Sequence, residues 1–145
     1  MSTNDDKNIL LTNLKGLLQE KLWKLEERLA NEREKSSYQH LTGAQSRILA
    51  TLRGENLTIS EVGRRLGISR QAVHKIVSQL VNEGILSLEP MPENNRDKII
   101  VFTEKGVVLK ETAKKALKKL DDEVKEKLGD KDFELLKEIL SKPWW

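Results

Sequence analysis

At 145 residues the chain has room for one domain with a full core, and 34% charged against 4% aromatic residues suits helices with long solvated faces. A formal charge of only +3 argues against a protein that coats nucleic acid by bulk charge. The absence of cysteine excludes disulfides, thiol redox sensing and cysteine-ligated zinc.

The first predicted element is one long amphipathic helix from Asn8 to Glu34, with Leu11, Leu14, Leu18, Leu22, Leu25 and Leu29 in a stripe. Lys35 to His40 reads as a polar connection. Thr42 and Gln45 then form a capping box, opening a helix that buries Ile48, Leu49 and Leu52 and stops near Gly54. Leu57-Thr58-Ile59 is short and β-prone. A short helix follows with Val62 and Leu66 one turn apart, and Gly67 is suited to the left-handed backbone that ends it. Ser69 caps the next helix, whose buried stripe is Val73, Ile76, Val77 and Leu80.

Gly84 ends that helix. Leu86 to Glu89 and Lys98 to Phe102 read as strands around a polar turn from Pro90 to Arg96. Thr103 caps a helix running to about Leu128, with Leu109, Ala113, Ala116, Leu117, Leu120 and Val124 inward. Gly129 stops it, and Asp130 caps a last helix burying Phe133, Leu136, Ile139 and Leu140. The expected fold is mainly α with a small β-wing. A winged helix-turn-helix lobe (41–103) is flanked by helices (8–34 and 104–145), all within one domain (1–145).

The stretch from Ser60 to Leu80 carries the functional signal. Arg64, Arg65, Arg70 and Lys75 stand there against Glu61 alone, whereas residues 1–40 hold seven basic and seven acidic side chains. The outer face of the second helix presents Arg70, Gln71, His74, Lys75, Ser78 and Gln79, with no acid before Glu83. Each can hydrogen-bond to a phosphate or a base edge, which points to sequence-specific binding of double-stranded DNA. Ser69, Arg70, Gln71, His74, Lys75 and Gln79 are the recognition-helix candidates. Gln71 suits adenine, Arg70 a guanine or a phosphate, and His74 a phosphate or spacer contact. Arg96 and Lys98 flank the wing tip, where Arg96 would enter the minor groove or stay a surface arginine. Arg64 and Arg65 would meet phosphates or remain solvated, and Glu93 and Asp97 would weaken the wing's charge.

Both terminal helices exceed what the lobe between them covers, so a homodimer burying them is expected, with Trp144 and Trp145 as interface anchors. Trp23, Tyr38 and His40 would border a small-molecule effector cavity or serve as core and surface filler. His40 and His74 have no metal-ligand spacing, no nucleophile–base pair or phosphate loop can be assembled, and neither cofactor nor enzymatic activity is expected. The polar opening Met-Ser-Thr-Asn-Asp-Asp is unlike a secretion signal, and no apolar run suits a bilayer span, so a cytoplasmic protein without membrane contact is expected.

These motifs together resemble the MarR family of transcriptional regulators. Leu41-Thr42-x-x-Gln45 resembles the opening of the family's second helix. Glu61 to Val77 is similar to its helix-turn-helix, Leu80-Val-Asn-Glu-Gly-Ile-Leu86 to its exit from the recognition helix, and Asn94-Asn95-Arg96 with Phe102-Thr103-Glu104-Lys105-Gly106 to its wing signature. The resemblance implies a triangular homodimer on a pseudo-palindromic promoter site, acting as a repressor and released by a small ligand. Two departures stand out. Asn94 replaces the usual aspartate that helps hold the wing arginine, and Gly63 replaces a common alanine, which would loosen its helix. The rivals are a winged-helix protein-interaction module, for which an apolar outer helix face would be needed, and a nonspecific architectural DNA binder, for which a larger basic excess would be needed.

Overall fold

A computed structural model describes residues 3–145, with side chains from Asn8 onward apart from those of Asn94 and Asn95. The order is α1 (Thr3–Thr12), α2 (Leu14–Glu34), α3 (Gly43–Leu52), α4 (Ile59–Leu66), α5 (Arg70–Asn82), β1 (Leu86–Met91), β2 (Asn94–Phe102), α6 (Glu104–Leu128) and α7 (Asp130–Ser141). The opening segment read as unlike a secretion signal lies partly outside the described residues, and so does the Asn94 side chain. The chain forms two units: a lobe, Ser37–Lys115, and a helical unit made of Ala116–Trp145 with the chain up to Ser36. α6 begins in the lobe and ends in the helical unit.

In the lobe, hydroxyl residues set where helices start, Thr103 ahead of α6 among them, its Oγ1 accepting from the Gly106 amide at 3.1 Å. Thr42, Thr58 and Ser69 sit in extended backbone and accept bonds from the amides of Gln45, Glu61 and Ala72. Thr58 is therefore a helix cap and Ile59 the first residue of α4, so the β-prone reading of that segment holds only as far as Thr58. A trace of strand character remains, since Thr58 bridges Ile99 and the Ile100 amide donates to the Leu57 carbonyl at 2.8 Å. The α3 box is complete: the Thr42 amide donates to Gln45 Oε1 at 3.0 Å, and the Gln45 amide to Thr42 Oγ1 at 3.1 Å.

The apolar stripes of α3, α4 and α5 meet over β1 and β2. Ile48, Leu52, Val62, Val73, Val77, Leu80, Ile85, Leu86 and Ile100 are fully buried, each stabilising the lobe by about 1.5–3 kcal/mol. Leu49, Leu66 and Ile76 pack against this core partly buried. The strands pair antiparallel from Leu86↔Phe102 to Pro90↔Lys98, then jump to Met91↔Asn94. The predicted long polar turn is thus strand on both sides, leaving only Pro92-Glu93 as the turn and a bulge that holds Arg96 and Asp97.

Two glycines are fixed by close approach. An added Cβ on Gly106 would lie 2.1 Å from the Ile85 carbonyl oxygen, which receives the Thr103 amide at 3.1 Å and hydroxyl at 3.0 Å. A Cβ on Gly63 would lie 2.9 Å from the Ile68 carbonyl oxygen. Gly63 therefore lets the turn press onto α4.

In the helical unit the long first helix is broken. Asn13 takes ψ 151° and caps α2, its Oδ1 accepting from the Gly16 amide at 2.8 Å, while its Nδ2 donates to the Ile9 carbonyl. An asparagine side chain that bonds backbone on both sides offers an alternative to a continuous helix, and here it wins. α7 starts without a side-chain cap: Gly129 (φ 84°) is the N-cap residue and Asp130 is already helical, not the cap expected. α2 and α6 are tied by Arg28–Glu123 at 3.0 Å and Lys119–Glu32 at 2.7 Å. The Lys119 hydrogen bond holds the Glu32 carboxyl below its ordinary value and Lys119 above its own. Leu120 and Phe133 are buried, but Leu117, Leu136, Ile139 and Leu140, expected inside, are exposed. Leu14, Leu18 and Leu22 with Trp144 and Trp145 line an open apolar groove of ≈ 440 Å³. No described helix is long and apolar enough to cross a membrane.

Candidate nucleic-acid interface

The turn between α4 and α5 is closed by backbone geometry alone. Gly67 takes φ 67° and its amide reaches back into α4, while the Ile68 amide donates to the Gly63 carbonyl at 3.0 Å. Ser69 then restarts the chain as α5, its Oγ accepting from the Ala72 amide at 3.1 Å. In the sequence this residue is a candidate DNA contact; in the fold its oxygen accepts the cap bond, and its O–H can still donate.

With Val73, Val77 and Leu80 fully buried, helical periodicity turns Arg70, Gln71, His74 and Lys75 to solvent. Gln71 and Lys75 make no side-chain bond to any described residue. His74 Nδ1 lies 3.4 Å from Ser78 Oγ, one turn further on. Gln79 is drawn elsewhere. Its Oε1 accepts from Gln45 Nε2 at 3.1 Å, so it braces α5 against the buried glutamine of the α3 capping box.

The arginines of α4 share one carboxylate. Arg65 Nε donates to Glu61 Oε1 at 3.1 Å, and Arg64 pairs with Glu61 Oε2. Both side chains remain exposed, so their charge is partly offset rather than hidden.

On the wing, Arg96 and Lys98 are exposed, and Lys98 pairs across the sheet with Pro90. Asp97 does not join them on the surface. Its side chain is 12% exposed, lying 3.7 Å from Arg70 Nη2 and accepting from the Lys98 amide at 3.0 Å. The same Arg70 nitrogen donates to the Arg96 carbonyl. Burial alone would raise the Asp97 carboxyl, but hydrogen bonds from Ser60 and the Lys98 amide, with the Arg70 charge, outweigh it and hold the group below the usual carboxylate range. The expectation that Asp97 dilutes the wing's surface charge is therefore corrected. Asp97 and Ser60 are what sequence reasoning missed, because nothing in the order of residues links positions 60, 70 and 97. The one available signal was an acid directly after the wing arginine.

Of the residues considered for a small ligand, Trp23 is exposed on α2, in the helical unit. Tyr38 packs partly buried against the lobe core, and His40 Nε2 lies 2.9 Å from Glu83 Oε2 at the C-terminal cap of α5. Among the described residues, no group of three or more His, Cys, Asp or Glu side chains is placed to hold a metal ion.

Three helices, a two-residue hairpin and a polar outer face on the last helix define a winged helix-turn-helix protein. Residues 41–97 match the model of the MarR family. It is 40% identical over 62 residues to the transcriptional regulator AdcR of Streptococcus pneumoniae serotype 2 (strain D39), covering 43% of this chain and 40% of that protein. An uncharacterized Mycobacterium tuberculosis (strain H37Rv) protein is 32% identical over 65 residues, covering 45% of this chain and 46% of its own. The chain thus spans less than half the length of these relatives. The crystal structure of transcriptional regulator PA4135 superposes with a TM-score of 0.74 at 20% identity, over 91% of this chain and 99% of that one, a likeness of fold.

Proposed function

We propose that this chain is a transcriptional regulator that binds a specific double-stranded DNA site as a homodimer in the cytoplasm, acting as a repressor. α5 lies in the major groove, where Gln71, His74 and Lys75 reach base edges. Arg64 and Arg65 meet phosphates, and the wing lays Arg96 and Lys98 on the neighbouring backbone or minor groove. The observation that carries this reading is the outer face of α5: exposed, rich in donors and free of acid up to Glu83, on a helix whose inner face is anchored in the core. That polar face disfavours a protein-interaction module, which would need an apolar surface there.

The dimer rests on the apolar residues that the helical unit leaves open, among them Leu14, Leu22, Trp144 and Trp145. Two-fold pairing sets two recognition helices about one DNA turn apart, roughly 10 base pairs, and so calls for a pseudo-palindromic site. Trp23, Tyr38 and His40 receive no ligand role in this reading.

Fluorescence anisotropy with the gene's own upstream DNA and a scrambled duplex, at two salt concentrations, tests it. Preference for the upstream DNA that survives the higher salt supports a specific reader. Equal binding to both duplexes, erased by salt, leaves only phosphate attraction and favours an architectural binder.

A further inference from the structure

Arg70 opens the helix assigned to the major groove, yet its guanidinium is turned toward the wing. One of its nitrogens, Nη2, serves both the Arg96 carbonyl and the Asp97 carboxylate. Asp97 is held in turn by Ser60 in the first turn of α4 and by the Lys98 amide of its own strand. Three elements of the lobe therefore converge on one buried carboxylate: α4 through Ser60, α5 through Arg70, and the bulge of β2. Bulges re-aim side chains, and this one turns an acid inward between two exposed cations, Arg96 and Lys98. An acid facing outward there would repel phosphate. Turned inward and matched to Arg70, it removes that repulsion and joins two DNA-facing elements that otherwise meet only through the core.

We infer that Asp97 is a positioning residue for DNA recognition: by holding Arg70 against the wing backbone it fixes the hairpin relative to α5, so that the Arg96 side chain departs from a set point while Gln71, His74 and Lys75 read bases. Arg70 is then first a coupling residue, and any contact it makes to DNA uses the part of its half-exposed guanidinium that the wing leaves open. This inference rests on the DNA-binding function proposed for the lobe.

The test is a double-substitution cycle on the full chain. A duplex enriched by the wild type from a random library, and its scrambled counterpart, are titrated with wild type, Arg70→Ala, Asp97→Asn, the double variant and Arg70→Lys. Asp97→Asn is expected to weaken the enriched duplex on the order of tenfold, to cost nothing further once Arg70 is alanine, and to change scrambled binding by less than about threefold. Arg70→Lys keeps the charge but not the fork, and follows Asp97→Asn. Losses that add in the double variant, or an unchanged preference in Asp97→Asn, overturn the coupling while leaving the DNA reading intact. Failure to enrich any duplex overturns both. Hydrogen exchange on the free proteins gives a reading without DNA. Amides of residues 91–98 lose protection in Asp97→Asn and Arg70→Ala alike while α5 keeps its own; an unaltered wing refutes the inference.

Discussion

Among the lobe's glycines, Gly106 is the one that tolerates a side chain least. A Cβ there would stand 2.1 Å from a backbone oxygen that cannot retreat, because the Ile85 carbonyl is held by Thr103. Gly106→Ala is expected to destabilise the protein by about 3 kcal/mol in urea melts. Gly43, at the first position of α3 with nothing within 4 Å of an added methyl, gives the opposite sign: Gly43→Ala adds about 0.5 kcal/mol. Asp97 supplies a pH dependence. Folding holds its carboxyl below the ordinary value, so the native state prefers the ionised form. The stabilisation is complete above the usual aspartate range and disappears as the pH falls through the lowered folded value. Urea melts from neutral to acid pH will show Asp97→Asn losing that dependence, and a gap from wild type that stays constant with pH contradicts the assignment. Caps at Thr42 and Ser69 were legible in the sequence because cap and amide lie three residues apart. The Asp97 link was not, because its partners come from distant segments that only the finished fold brings together.

At the level of elements, α3, α5 and the existence of a wing follow from periodicity and turn chemistry. The misreadings arise where a polar side chain competes with the pattern. Asn13 interrupts an unbroken leucine stripe, and Thr58 turns a short β-prone segment into a helix start. The hairpin turn shrank because Met91 and Asn94 pair, a choice of register that polar residues do not reveal. α5 and α4 are expected to divide the work on DNA. Gln71→Ala should narrow the preference for the enriched duplex by about 1–3 kcal/mol. Arg64→Ala should weaken every duplex alike and lower the salt slope by at most about one, since Arg64 already shares Glu61 with Arg65. Equal effects of the two substitutions on preference would mean that α5 is not the reader.

For the whole molecule, the decisive feature is how much apolar surface the helical unit leaves uncovered. Leu10 and Leu11 are each 79% exposed, Trp23 63%, and Leu136, Ile139 and Leu140 of α7 are all open. From sequence alone these last three read as core, because periodicity marks an apolar face without saying which chain covers it. Patches of this kind on a charged protein mark an association surface. Leu22→Asp combined with Trp144→Ala is expected to shift sedimentation from dimer to monomer while leaving the lobe's thermal transition in place. A wild type that sediments as a monomer at micromolar concentration would refute the homodimer.

The tryptophans turn this division into an optical one. Trp23, Trp144 and Trp145 all belong to the helical unit, and the lobe carries none. Indole emission therefore reports on one unit while the other is dark at that wavelength apart from Tyr38. Dissociation of the dimer should register as a spectral shift, whereas events confined to α5 and the wing should pass unseen by intrinsic fluorescence. Assembly can thus be followed in the unlabelled protein, and one cysteine introduced on the wing of this cysteine-free chain would carry a thiol-reactive dye that reports recognition in a second colour.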